Sequence, residues 1–261
     1  MFTKITLENF RSFDHIELDL TEKGNTAKHL AILYGENGAG KSNLMSAFVL
    51  LPELTRTMDA RAAYERILAQ GAIFQDENME KEMREHIRQR LRDMSAIIKD
   101  YQMADCENPI VAEYEFNIDG NNGCYRVEFG QDEILHERLE FVLNRRRGLY
   151  FDCSATGINI NDSIIEKEQG KEFLADVKEM AKRYWGKHSL LAILIYEMKD
   201  KSNSFGRDNI TENFNAVLNE FRNLSCTVSM GDKSWEGLHA QLKVLNQPLS
   251  GLSNENMNLI K

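Results

Sequence analysis

The segment Gly35-Glu36-Asn37-Gly38-Ala39-Gly40-Lys41-Ser42 constrains the fold more tightly than any other part of the chain. It fits G-x-x-x-x-G-K-[ST] without a gap. A backbone this rich in glycine can turn sharply and aim its N–H groups into one concavity, and such a concavity holds phosphate oxygens. The pattern carries that meaning only between a strand and a helix. Both flanks supply it. Leu30 to Tyr34, "LAILY", is a continuous apolar run and predicts a strand buried on both faces of a parallel sheet. After Ser42, the residues Leu44, Ala47, Phe48 and Leu51 recur at helical spacing. The N-terminus of that helix adds free N–H donors and a partial positive charge. Lys41 is then the expected contact to the β- and γ-phosphates of a nucleotide and the expected catalytic group. Ser42 is the expected Mg²⁺ ligand, since this hard cation takes oxygen donors.

The stretches around this loop read as a mixed α/β chain. "FTKITLENF" alternates, with Phe2, Ile5, Leu7 and Phe10 apolar, and "FDHIELDL" alternates as well. The two predict strands in a hairpin or meander. Helical character resumes in "DARAAYERILAQ". Between residues 76 and 102, Met79, Met83, Ile87, Leu91, Met94, Ile98 and Tyr101 recur every three or four residues on a charged background. This is an amphipathic helix, packed on the core by one stripe or projecting as a short coiled-coil or partner-binding arm. From Pro109 the period changes to two: "IVAEYEFNIDGNNGCYRVEFG" is a hairpin signal, and "EILHERLEFVLNRRRGLYFDCS" continues as strands with a turn near Arg147-Gly148. Helices return after residue 160, including one capped by Asn209 or Thr211.

The pairing of "ITLENFRSF" with "GENGAGKSNLMSAF" resembles the N-terminal lobe of the SMC/RecF/OLD-like ATPases, an ABC-type group also called AAA-family ATPases. Ile5, Leu7, Asn9, Phe10, Arg11, Ser12 and Phe13 match the first motif. Gly35, Asn37, Gly38, Gly40, Lys41, Ser42, Asn43 and Leu44 match the second. The resemblance implies a P-loop NTPase fold with a mixed sheet, an added antiparallel β-meander and a helical insertion. It implies ATP and Mg²⁺ as cofactors, with Arg11, Glu36, Ala39 and Asn43 joining the other loop residues around the nucleotide. It also implies ATP hydrolysis that drives pairing or conformational change in DNA repair, DNA maintenance or anti-phage defence. The corresponding division is residues 1–75 for the first part of the nucleotide core, 76–105 for an amphipathic helical segment, 106–160 for the meander and 161–261 for a helical region.

Other parts of such an ATPase are not evident. A strand ending in paired carboxylates would hold Mg²⁺ through water and polarise the attacking water. The nearest run, "LLAILIYEMKD", ends in the single Glu197 and reads as a buried helix. "PLSGLSNEN" echoes a signature segment only faintly, and Gln75, Gln131, His86 and His136 have no warrant as catalytic groups. The chain is therefore expected to match the first half of such an ATPase, completed as a homodimer or by a partner subunit. Two alternatives stand beside this reading: a non-catalytic nucleotide-binding module, and a small P-loop kinase with "NRRRG" as its lid.

Composition narrows the partners. The net charge is -9, so bulk charge does not favour nucleic acid. DNA contact would fall on Arg145-Arg146-Arg147, which reads first as a solvated turn. Cys106, Cys124, Cys153 and Cys226 lack metal or redox spacing and are expected as reduced thiols. The longest apolar run, Leu190 to Tyr196, is too short to cross a membrane, and no signal core opens the chain, so the cytoplasm is the expected compartment.

Overall fold

The computed structural model describes residues 1–22, 26–70, 92–143, 145–166, 170–200 and 210–224. Alternating sequences become strands. β1 (Phe2–Phe10) and β2 (Phe13–Asp19) form the N-terminal hairpin. Five more strands follow: β3 (Ile110–Ile118), β4 (Asn121–Phe129), β5 (Ile134–Leu143), β6 (Arg146–Ser154) and β7 (Gly157–Ile160). They join the hairpin in one seven-stranded sheet of order β2-β1-β3-β4-β5-β6-β7, antiparallel at every pairing. The added antiparallel meander is thus present, and β1 is an interior strand. A parallel component is not found among the described residues.

The β3–β4 connection shows how directly sequence can dictate a turn. Asp119 and Gly120 have φ 52° and 80°, and Ile118 pairs with Asn121. Two central residues with positive φ make the turn whose twist matches a hairpin. The β5–β6 turn falls between Leu143 and Arg146, ahead of the expected position at Arg147-Gly148. Both of those residues lie inside β6, where a Cβ on Gly148 would sit 2.9 Å from Leu143. Gly148 therefore serves close approach between strands, not reversal of the chain.

Alternation gives the sheet two unlike faces. The outer face is charged. Arg126 bonds Glu113 across the strands and Glu128 along its own. Arg138 bonds Asp152 and Glu140, His136 bonds Asp152, and Arg147 bonds Glu140. Arg147 of the basic run is thereby ion-paired. The inner face carries Ile5, Leu7, Tyr114, Phe116, Tyr125, Leu139 and Phe141, all buried.

Helices cover that face: α1 (Lys41–Leu54), α2 (Thr57–Gln70), α3 (Met94–Tyr101), α4 (Gly170–Tyr184), α5 (Leu190–Asp200) and α6 (Glu212–Arg222). Phe221 of α6 packs at 5.4 Å from both Phe116 and Tyr125. α6 is capped by Thr211, one of its two expected caps; Asn209 lies outside the described residues. Of the amphipathic stripe at 76–102, Met94, Ile98 and Tyr101 are buried on α3, while Met79, Met83, Ile87 and Leu91 lie outside the described residues. So do Gln75, His86, Asn144, Cys226 and "PLSGLSNEN". The three described cysteines are free thiols. No described helix is long and apolar enough to cross a membrane.

The buried strand expected at Leu30 to Tyr34 is not there. These residues are outside any strand, and Leu30, Ile32 and Tyr34 are 76%, 75% and 92% exposed. An apolar run becomes a doubly buried strand only when neighbours pair with it and layers cover it. After β2 the chain returns alongside the strand end only as far as Lys28, whose N–H donates to the Leu20 carbonyl. Beyond Lys28 the chain does not pair with β2, whose outer edge stays open among the described residues, and α1 already packs under β3 through the Tyr114 hydroxyl, which donates to the Ala47 carbonyl. Ala31 and Leu33 line an apolar groove with Phe2, Phe48 and Leu224.

One buried carboxylate ties sheet to helices. Glu137 on β5 accepts from the Tyr125 hydroxyl at 3.0 Å, from Trp185 Nε1 at 3.0 Å and from the Leu190 N–H opening α5 at 2.7 Å. Burial pushes its carboxyl up to about 6, although these donors favour the anion. A carboxyl raised in the folded state contributes most below its unfolded value, and that share is lost as pH rises through 6. In urea unfolding, Glu137→Leu should cost about 3 kcal/mol or more, because two buried donors and the half-buried Trp185 lose their acceptor. Glu137→Gln should cost about half as much, since the Tyr125 hydroxyl can turn to accept from the new amide. It should also flatten the pH dependence between 4.5 and 6.

Candidate nucleotide-binding site

The loop from Gly35 to Gly40 leads directly into α1. Gly38 and Gly40 have φ 87° and 83°, in the left-handed region where a side chain is strained. Gly40 is the helix cap and offers no side-chain hydrogen bond to the first turn. The leading N–H groups of α1 are thus left to an external acceptor. The first turn contains no acidic residue that would compete with an anion.

Lys41 folds back over the loop. Its ammonium donates to the Gly35 carbonyl at 2.8 Å and the Glu36 carbonyl at 2.6 Å. The loop closes on itself through the Ala39 N–H, which donates to the Glu36 carbonyl at 3.2 Å. Asn37 stands exposed at the tip, and Ser42 is exposed at the start of α1. Asn43 takes a different part: its Nδ2 donates to Ser12 Oγ at 2.8 Å, tying α1 to the β1–β2 turn.

That turn lies against the loop. A Cβ on Gly40 would meet the Phe13 ring at 2.7 Å and Ser12 Oγ at 3.4 Å. The turn is itself held from below. Asn9 and Arg11 both have positive φ, 51° and 53°. Asn9 Nδ2 donates to the Pro109 carbonyl, the Met103 N–H donates to the Asn9 carbonyl, and the Arg11 N–H donates to the Tyr101 carbonyl at 2.7 Å. Segment 101–109 therefore brackets the turn, and the turn presses on the phosphate loop.

The structure thus brings the loop and the "NFRSF" turn together, as the motif pairing implied. Arg11 itself lies with its guanidinium carbon 5.0 Å above the Tyr101 ring, and its Nε is buried without a partner. Ser12 and Phe13 match the motif, but the motif does not give their contacts to Asn43 and Gly40. Tyr101 gave no signal beyond its place in an apolar stripe, because its partners Phe10, Arg11 and Glu53 are all distant in the chain.

The donor set suits a Mg²⁺-bound nucleotide. Uncapped helix amides, glycines with no Cβ in the way and a lysine offer donors to phosphate oxygens. The exposed Ser42 hydroxyl offers the one neutral oxygen at the helix start that a hard cation prefers. Lys41 and the loop amides would hold the phosphates, and Ser42 the metal. Among the described residues no cluster of His, Cys, Asp or Glu could hold a metal by itself.

Gly40→Ala should cost about 2 kcal/mol or more in urea unfolding, combining left-handed strain with the Phe13 clash. Gly38→Ala should cost about 1 kcal/mol, because nothing lies within 4 Å of the added methyl.

A model of the AAA ATPase domain, a domain found in SMC/RecF/OLD-like ATPases, matches residues 1–225. None of the curated proteins compared with the chain matches it. The match takes in the glycine loop, the turn packed on it and all seven strands, and the chain belongs to the AAA ATPase domain family.

Proposed function

We propose that the chain is the ATP-binding lobe of an SMC/RecF-like, ABC-type ATPase of the cytoplasm. It uses Mg-ATP binding and hydrolysis to drive pairing of lobes or conformational change in DNA repair, DNA maintenance or anti-phage defence. Family membership supports ATPase activity in general. The observation that carries the reading to this chain is the arrangement at Gly40. An uncapped helix start, Lys41 folded over the loop carbonyls, and the β1–β2 turn tied to Asn43 converge there.

Turnover needs more than a cradle. Phosphoryl transfer depends on a positioned water and on charge stabilisation around the equatorial oxygens. In this proposal a second lobe, from a second copy or a partner subunit, supplies the signature segment that caps the phosphates. ATP then acts as the joint between lobes, and DNA is a candidate partner of the assembled form.

A second reading is a nucleotide-binding module without turnover. It is favoured by α5: the apolar run Leu190 to Tyr196 is helix, and the Glu197 carboxylate behind it is 7% exposed on that helix. No strand with paired carboxylates is found among the described residues.

Calorimetry and phosphate release separate the readings. The chain should bind Mg-ATP, and Lys41→Ala should weaken binding by about tenfold or more, the value of a charge-assisted hydrogen bond. Steady phosphate release that vanishes in Lys41→Ala supports the ATPase; tight binding without release supports the module. Absence of binding by folded protein would sink both.

A further inference from the structure

We propose that Tyr101 is a positioning residue that presents Arg11 to the nucleotide as an unpaired cation. This rests on the reading of the glycine loop as a nucleotide site.

Arg92, Glu53 and Asp100 around Tyr101 are paired with one another, but Arg11 is not. Its guanidinium makes no ion pair among the described residues, and its buried Nε has no acceptor. A buried donor without a partner costs free energy and calls for a reason. The carboxylate bound to Tyr101 is Glu53, near the end of α1. Glu53 is fully engaged elsewhere: Oε2 accepts from the Tyr101 hydroxyl at 2.9 Å, and Oε1 accepts from Arg92. Arg92 is fixed in turn by Asp100. Arg11 is left facing the Tyr101 ring.

The ring is held on several sides. Phe10 stacks on it with centroids 5.1 Å apart, the hydroxyl is anchored to Glu53, and the Tyr101 carbonyl accepts from the Arg11 N–H. Tyr101 is 2% exposed. Ring and arginine thus move as one unit with the β1–β2 turn, and that turn touches Gly40 and Asn43. Attraction between a guanidinium and an aromatic face is weaker than a charge-assisted bond to a phosphate oxygen. An arginine stored on a ring keeps its charge available to an anion, whereas one stored on a carboxylate would have to break an ion pair first.

The test is a double-mutant cycle read by Mg-ATP calorimetry on the full chain. Arg11→Ala should weaken binding about tenfold, Tyr101→Leu should weaken it equally, and the double variant no further. Tyr101→Phe retains the ring and should recover most of the affinity, which a role through the hydroxyl alone would not allow. Tyr101→Met fills the volume without a ring and replaces the leucine variant if that one fails to fold; it should weaken binding as Arg11→Ala does. If Arg11→Ala weakens binding while folded Tyr101→Leu or Tyr101→Met does not, or if the two losses add, the positioning role is overturned and the Arg11 contact stands. If Arg11→Ala changes nothing while Lys41→Ala still weakens binding, the positioning role falls and the nucleotide site survives. If neither does, the site reading itself has failed.

Discussion

The ring of Phe13 lies where any side chain at position 40 would have to be. That close approach joins the two halves of the site. It requires glycine at the helix cap and leaves the cap without a side chain to satisfy the first turn of α1. The open amides that suit a phosphate are therefore a consequence of packing as well as of loop composition. Asn43 and Ser12 fix the same contact by a hydrogen bond. Nothing in the loop alone would hold it at this angle to the sheet.

Behind the contact lies a chain of supports running away from the loop. The β1–β2 turn rests on segment 101–109, and α3 rests on α1 through Tyr101, Glu53 and Arg92. The amphipathic sheet provides the base, with its apolar face under the helices and its charges paired in rows on the other. Glu137 locks α5 to that base at the opposite end of the sheet order. Arg126 and Arg138 on the outer face are ion-paired, whereas the buried Nε of Arg11 has no acceptor.

Much of this was legible in the sequence, and the reason is locality. Period-two alternation found β1 to β6, and Asp119-Gly120 gave a turn within four residues of chain. The glycine loop was legible because its chemistry is carried by consecutive residues. "LAILY" misled because apolar character records what a segment can bury, not whether a partner strand is present; Ile32 and Tyr34 are exposed. The shift of the β5–β6 turn has a similar cause: Gly148 marks a crowded site beside Leu143, which composition cannot tell from a turn. Tyr101, Glu53 and Arg92 were invisible as a group because only tertiary packing assembles them.

Amide hydrogen exchange across residues 36–44 tests the central idea most directly, since it reads the loop amides themselves. With saturating Mg-ATP, exchange of the N–H groups from Gly38 to Asn43 should slow strongly, while the charged outer face of the sheet is unaffected. Unchanged exchange in that loop, in folded protein to which ATP is shown to bind, would place the nucleotide elsewhere and contradict the account.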